Sequence, residues 1–260
     1  MIRDIDFHIL KGSEKNHSCI ICLAGRSDSG TMFAEDYRAK SELDKTTIIG
    51  VTPYSDKGLI EWYPQPFSST NQSDAVAGLK DAFSVVKKIV NQVESKLKIP
   101  KNRIAIAGFS AGGVMAMYTA MNSDFDLAGV VIHSGAILET GKIPQCSNEI
   151  PILLEHSRKD RCFSWYERYV PMKNNLIEKG YNVSSVEDPE GFHYVDDENI
   201  ISSAMFLADK LGYEEFKHSL VEQPDFKTSE KEEIPDNWLE IQKSEEKAYF
   251  DKLKKFRLLN

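Results

Sequence analysis

No stretch of this chain is apolar for long enough to cross a bilayer, which takes about 20 consecutive apolar residues. Nor is there a surplus of positive charge. Its 32 Lys and Arg are outnumbered by 40 Asp and Glu, a formal net charge of -8. Phosphate backbones require a clustered basic face, so no nucleic-acid partner is expected. The amino terminus, Met1-Ile-Arg-Asp-Ile-Asp-Phe7, carries acids where a signal peptide has a basic and then an apolar stretch. A cytoplasmic location without a membrane span is the expectation. Cysteine is scarce, with four in 260 residues, and a core of that size needs no disulfide or metal. Cys19 and Cys22 form a Cys-x-x-Cys inside Ser18-Cys-Ile-Ile-Cys-Leu23, which reads as a buried strand. Alternation then sends the two thiols to opposite faces, against a shared redox or zinc site. Cys146 and Cys162 have no motif around them, and all four are expected to stay reduced. Internal repeats, a Gly-x-Gly-x-x-Gly turn and a Walker lysine are missing too, which removes the common phosphate-binding loops.

What is present is alternation. Asp6 to Leu10 and Ser18 to Leu23 read as strands, and the loop Ala24 to Gly30 leads into a helix over Met32 to Leu43. Thr46 to Val51 is a strand that Pro53 is expected to stop. After a loop holding Trp62, Tyr63, Pro64 and Pro66, Ser73 and Asp74 open a long helix. Its Val76, Leu79, Phe83, Val86, Val90, Val93 and Leu97 make one continuous apolar stripe, and Pro100 closes it. Arg103 to Gly108 is a strand and a helix follows Gly113. Leu127 to His133 and Pro151 to Glu155 are further strands. Ser164 to Lys179 is a helix with a bend expected at Pro171. Asn182 to Glu187 is a strand and Glu198 to Leu211 a helix. Short strands alternating with helices predict an α/β fold, with a mostly parallel sheet and helices on both faces. From Glu214 onward the composition turns to dense mixed charge broken by Pro224 and Pro235. A boundary near Gly212 therefore divides an α/β domain, 1–212, from a charged C-terminal tail, 213–260. Asn237 to Leu259 can form a helix with Tyr249, Leu253 and Phe256 on one side, and a solvated or loosely docked tail is preferred to an interaction helix.

The stretch that organises the rest is Arg103-Ile-Ala-Ile-Ala-Gly-Phe-Ser-Ala-Gly-Gly113. A β-prone run ends at Gly108, Ser110 follows, and an Ala/Met-rich helix begins. The turn fits Gly-x-Ser-x-Gly (Gly108, Ser110, Gly112), in which a strained backbone lifts the serine hydroxyl clear of the sheet. A serine becomes a nucleophile only when a positioned imidazole takes its proton, and a carboxylate must fix that imidazole's tautomer. In this topology the acid and then the histidine follow the serine, each in a loop at a strand's carboxyl end. Asp160 lies 50 residues after Ser110, beyond the strand Pro151 to Glu155, and His193 lies 33 residues further, in the turn-rich loop Asp188-Pro-Glu-Gly-Phe-His-Tyr194. His8, His17, His133, His156 and His218 lack that placement. Asp188, Asp196 and Asp197 are too close to His193, with Asp196 or Asp197 better explained as a helix cap. Asp124 and Asp126 precede a strand and so sit at the wrong end of the sheet.

Five segments in order carry a family resemblance from Cys19 to Leu211. Leu23-Ala-Gly-Arg-Ser-Asp-Ser-Gly30 resembles the Leu-His-Gly-Leu-Gly-Asp-Thr/Ser-Gly loop of the phospholipase/carboxylesterase family of α/β-hydrolases, which includes acyl-protein thioesterases. Asn102 to Gly113 is similar to its serine segment, and His133-Ser-Gly135 to its Leu-Ser-Gly. Ile150 to Asp160 resembles its acid segment Pro-Ile-Leu…His-Gly-x-x-Asp, and Gly191-Phe-His193 its closing Gly-x-His. The chain departs from the pattern at Ala24, Arg26, Ser27 and Ser157.

The resemblance implies an α/β-hydrolase fold and a serine carboxylesterase or acyl-thioesterase activity; the few residues between the strands at His133 and Pro151 leave no room there for a large lid, so an open cleft is expected. It implies Ser110 as nucleophile, Asp160 as acid and His193 as base, with the backbone N–H groups of Arg26 and Ala111 as oxyanion donors. Trp62 and Tyr63 fall where the family has an aromatic pair by the acyl pocket, and Phe163 and Trp165 are further candidates to line the cleft. The implied partner is a small-molecule ester or thioester, with no cofactor and no metal, and a homodimer is left open. Two readings of the Arg26 side chain stand: it faces the cleft and favours anionic substrates, or it is simply solvated. Lysophospholipase or peptidase activity on the same three residues, or a hydrolase-fold binding protein without activity, are the alternatives.

Overall fold

Strand β1, Ile2–Leu10, runs antiparallel to the strand Thr47–Ser55 at one edge of the sheet, and the sequence signalled it only from Asp6. The structure is a computed structural model, and it describes residues 2–15, 17–64, 72–138, 143–219, 224 and 226–257. Strand β2 (Cys19–Leu23), helix α1 (Gly30–Lys40), strand β3 (Thr47–Ser55) and helix α2 (Gln72–Gln92) follow. Next come β4 (Ile104–Phe109), α3 (Ala111–Asn122), β5 (Gly129–His133) and β6 (Ile152–Ser157). The chain continues with α4 (Val170–Glu178), β7 (Val183–Asp188), α5 (Asp197–Leu211), β8 (Lys227–Thr228) and α6 (Trp238–Arg257). The strands form an 8-stranded sheet in the order β1-β3-β2-β4-β5-β6-β7-β8. β3 through β7 pair in parallel, and β1 and β8 are the antiparallel edges.

Both faces of the central strands are covered, so those strands are continuously apolar rather than alternating. Cys19, Ile21 and Leu23 pack toward α2, α3 and α4, in a core that includes Leu79, Val86, Val90, Val114 and Leu176. Ile20 and Cys22 pack toward α1 and α5, with Phe33, Tyr37, Ile200 and Leu207. The two cysteines thus face opposite ways, and all four cysteines are free. Asp196 caps α5, accepting from the N–H of Asn199 while the Asn199 side chain reaches back to it, which absorbs that acid into structure.

Several boundaries differ from expectation. Pro53 does not stop β3, because its carbonyl accepts from Glu61 N–H on the side away from β1. The missing proline N–H therefore removes no bond from the β1 ladder. The long helix ends at Gln92, and a π-helical turn, Val93–Leu97, leads to Lys98 in the left-handed region (φ 58). Pro171 causes no bend. It sits in the first turn of α4, where proline costs no hydrogen bond, just after a π-helical turn over Trp165–Tyr169.

Most described residues of the tail are exposed, yet it touches the domain at several points. After Gly212 (φ 90), the Tyr213 hydroxyl accepts from Lys45 and Thr46 N–H at 2.8 and 2.9 Å. β8 then adds to the sheet beside β7. Lys173 of α4 is fully buried, and its ammonium meets Glu187 of β7 at 2.9 Å and Glu232 of the tail at 2.7 Å. Trp238 and Ile241 of α6 pack on the main core. A buried lysine must be paired, and here half of its pairing comes from the tail. The side chains of Tyr249, Leu253 and Phe256 lie outside the described residues, as does Pro66.

Candidate active site

The turn between β4 and α3 is built as its glycines require. Ser110 has φ 53 and ψ -115, a conformation that strains any residue with a Cβ. It is held there by its N–H, which donates to the His133 carbonyl at 3.0 Å, and by its carbonyl, which accepts from Val114 N–H at 3.0 Å. A Cβ on Gly108 would overlap the Gly112 carbonyl, and a Cβ on Gly112 would overlap the Leu23 carbonyl. The Gly-x-Ser-x-Gly spacing is thus the spacing at which helix α3 can approach β2 and β4.

His193 arrives from the loop between β7 and α5. Its Nε2 is 2.8 Å from Ser110 Oγ and its Nδ1 is 2.8 Å from Asp160 Oδ2. The other oxygen of Asp160 accepts from the N–H groups of Cys162 and Phe163 at 2.8 and 2.9 Å. The ring is held between Phe109 and Phe163, at centroid distances of 5.1 and 5.7 Å. The acid and histidine loops are tied directly: Arg158 N–H donates to Asp188 O at 2.8 Å and Lys159 N–H to Gly191 O at 3.2 Å. Gly191 is required because a Cβ there would overlap the Asp188 carboxylate.

The Asp160 side chain is fully buried, while His193 keeps 19% of its side-chain surface. Burial pushes the Asp160 carboxyl up, but the His193 hydrogen bond, the charges of His156 and His193 and the Phe163 N–H outweigh it, leaving the group below the usual carboxylate range. His156 is buried, and burial lowers its pKa. Its Nε2–H donates to the Phe163 carbonyl at 2.7 Å, which shapes the acid loop from behind. His133 is buried against Tyr37 and Glu155. Neither reaches Ser110 with its side chain.

The first loop is pinned by a segment that the sequence reading connected only through its aromatics. Trp62 Nε1–H donates to the Ala24 carbonyl at 2.8 Å, and Ser27 N–H to Ile60 O at 3.1 Å. The Arg26 guanidinium pairs with Glu61 and donates to the Tyr63 carbonyl at 2.9 Å. Both readings of the Arg26 side chain are therefore corrected. Its charge is matched by Glu61, whose side chain is only 11% exposed, so it offers no free cation to an anionic substrate and is not simply solvated. Trp62 and Tyr63 are 2% and 5% exposed, and the Trp62 ring nitrogen and the Tyr63 carbonyl hold the first loop. Phe163 packs edge-on to His193, and Trp165 packs on Tyr169 at 4.5 Å. Glu61 is the residue that sequence reasoning missed, and its only signal is an acid beside two aromatics.

Ala111 is the first residue of α3, so its N–H has no intrahelical partner. It lies next to Ser110, and the residue after it, Gly112, packs against the carbonyls of Leu23 and Ala24. Beyond Val114, one turn further along α3, a groove of about 490 Å³ opens between α2 and α3. Its apolar lining includes Val76, Leu79, Val114, Met117, Ala136 and Ile137. The arrangement can relay a proton from a hydroxyl to an imidazole backed by a carboxylate. No described helix is long and apolar enough to cross a membrane.

Comparison with known proteins adds independent findings. The family model described as Phospholipase/Carboxylesterase matches residues 5–209. Acyl-protein thioesterase 1 of Neurospora crassa is 24% identical over 220 residues, covering 76% of this chain and 88% of that protein. Among solved structures, esterase PE8 aligns with a TM-score of 0.70 at 18% identity, covering 80% of this chain and 99% of the other. Acyl-protein thioesterase 2 of Zea mays aligns with a TM-score of 0.67 at 20% identity, covering 80% and 99%. The structural likeness establishes the α/β-hydrolase fold, and with the family model spanning most of its length, the chain belongs to the phospholipase/carboxylesterase family.

Proposed function

We propose that Ser110, His193 and Asp160 carry the acyl transfer by which this member of the family cleaves carboxylic esters or thioesters. The observation that supports it is the unbroken path of two 2.8 Å hydrogen bonds from Asp160 Oδ2 through both ring nitrogens to Ser110 Oγ. His193 Nε2 takes the hydroxyl proton as Oγ attacks the acyl carbon. Asp160 holds the Nδ1–H tautomer and stabilises the imidazolium that forms. The negative oxygen of the tetrahedral intermediate meets the N–H groups of Ala111 and Arg26, each contributing about 3 kcal/mol. His193 then returns its proton to the leaving alcohol or thiol, and water enters to hydrolyse the acyl-enzyme by the same steps.

The aliphatic groove beside Val114 is the acyl-chain site in this reading, since it is apolar and begins at the helix that Ser110 opens. Burial of each methylene there contributes about 0.8 kcal/mol. The acyl-protein thioesterase relatives favour thioesters among the substrates to be tried. The four free cysteines fit a reducing, cytosolic setting.

A series of p-nitrophenyl esters and matched thioesters of increasing acyl length tests the reading. Wild type hydrolyses them, Ser110→Ala falls by about 10⁶ toward background, and Val76→Trp, at a partly exposed position of the groove lining, shifts the optimum to shorter chains. Retained turnover in Ser110→Ala refutes the nucleophile, and an unchanged optimum in Val76→Trp refutes the groove.

A further inference from the structure

Cys162 is exposed and stands two positions after Asp160. Its N–H donates to Asp160 Oδ1 at 2.8 Å, so its backbone is tied to the carboxylate that orients His193. One ligand atom each from Asp160, Cys162 and His193 lie within 4.8 Å of one another, the one such cluster among the described residues. The set is an oxygen, a sulfur and an imidazole nitrogen, and of its residues Cys162 is exposed and His193 partly so.

A tetrahedral zinc ion, with bonds of about 2.0–2.3 Å, sets its ligand atoms about 3.3–3.8 Å apart. The distances here bracket that spacing: Asp160 Oδ2 and His193 Nδ1 are 2.8 Å apart, and the outer limit of the cluster is 4.8 Å. A small opening of the hydrogen-bonded pair and an inward turn of an exposed side chain complete the geometry. Thiolate and imidazole select zinc-like cations over magnesium or calcium, which prefer oxygen alone.

We propose that Asp160, Cys162 and His193 form an inhibitory binding site for a thiophilic divalent cation such as Zn²⁺. The inhibitory role rests on the proposed catalytic assignment. Coordination at Nδ1 displaces the proton that Asp160 holds there. The imidazole stays neutral with its proton moved to Nε2, the thiol proton goes to solvent, and water takes the fourth position on the metal. With Nε2 protonated, the ring has no lone pair to accept the Ser110 proton. A three-ligand site with one open position is exchangeable, so inhibition is reversible by a chelator.

The test titrates Zn²⁺ into the full-length protein in metal-free buffer and follows p-nitrophenyl ester hydrolysis. Wild type loses activity and recovers it on adding a chelator. Cys162→Ser keeps its basal activity, because it retains the backbone N–H to Asp160, but needs at least about tenfold more zinc for half-inhibition. Co²⁺ gives a separate readout: a thiolate-to-cobalt absorption band in wild type and in Ser110→Ala, absent from Cys162→Ser. Wild type indifferent to zinc, a Cys162→Ser variant inhibited at the wild-type concentration, or bound cobalt without the thiolate band each overturn the site. A thiolate band in a protein that hydrolyses no ester keeps the metal site and removes both its inhibitory role and the catalytic assignment.

Discussion

Replacing Asp160 by Asn isolates what the carboxylate does. Asp160 makes three hydrogen bonds, Oδ1 to the N–H groups of Cys162 and Phe163 and Oδ2 to His193 Nδ1. An asparagine has one acceptor oxygen and one NH2. Two backbone donors, fixed by the loop, claim the oxygen, since leaving both buried N–H groups facing an NH2 costs about 1–3 kcal/mol each. The NH2 then faces Nδ1, which must become an acceptor, and the ring proton moves to Nε2. Nε2 can no longer take the Ser110 proton. The expected loss in kcat is about 10⁴, or about 5.4 kcal/mol of transition-state stabilisation. KM and the folded near-UV spectrum stay close to wild type, because shape and volume are kept. The assay is steady-state hydrolysis of a short p-nitrophenyl ester, with the rate of fluorophosphonate labelling as a second measure. A loss below tenfold in both would refute the tautomer argument and with it the role of Asp160.

Three further outcomes follow from the same coordinates. Gly112→Ala places a Cβ on the Leu23 carbonyl and pushes α3 away from β2, so kcat falls by about a hundredfold or more in whatever protein folds; wild-type kcat in the folded variant would contradict the fit. Glu61→Ala removes the partner of Arg26 and loosens the first loop. kcat/KM falls by about tenfold, less than the 10²–10³ expected for deleting an oxyanion donor, and an unchanged value speaks against Arg26 N–H as a donor. Glu187 is pushed up by burial, but hydrogen bonds from Glu232, Lys227 and Lys173 bring it down to about 2. A carboxyl depressed when folded stabilises the protein above its unfolded pKa of 4.5, and that stabilisation is lost as pH falls toward 2. The stability gap between wild type and Glu187→Gln, measured by urea unfolding, therefore narrows from pH 5 toward pH 2; a gap that widens on acidification contradicts the pairing.

Much of the fold was legible because central parallel strands buried on both faces write themselves as unbroken apolar runs, as in β2 and β4. β1 was caught only in part, since Arg3, Asp4 and Asp6 on an exposed edge mask Ile2 and Ile5. Pro53 misled because the penalty for proline depends on which side its missing N–H would face, and pairing partners are not written locally. The contacts of the tail were not legible for a related reason. β8 is two residues long, and nothing in the composition around Lys173 says that this lysine is buried and needs Glu232. At the candidate site, the order serine, acid, histidine followed from topology, because each side chain stands at the carboxyl end of its own strand. The partner of Arg26 did not, since no spacing rule links a loop after β2 to a glutamate beyond β3. Aromatic identity likewise marked Trp62 and Tyr63 without telling which way they face.

The central claim is that Ser110 is the nucleophile and His193 its base. Fluorophosphonate treatment followed by mass spectrometry of the digested protein tests it most directly. A single phosphonyl adduct is expected on the peptide carrying Ser110, formed at least about a hundredfold more slowly in His193→Ala. Folded wild-type protein that takes no adduct, or takes it at another residue, contradicts the account.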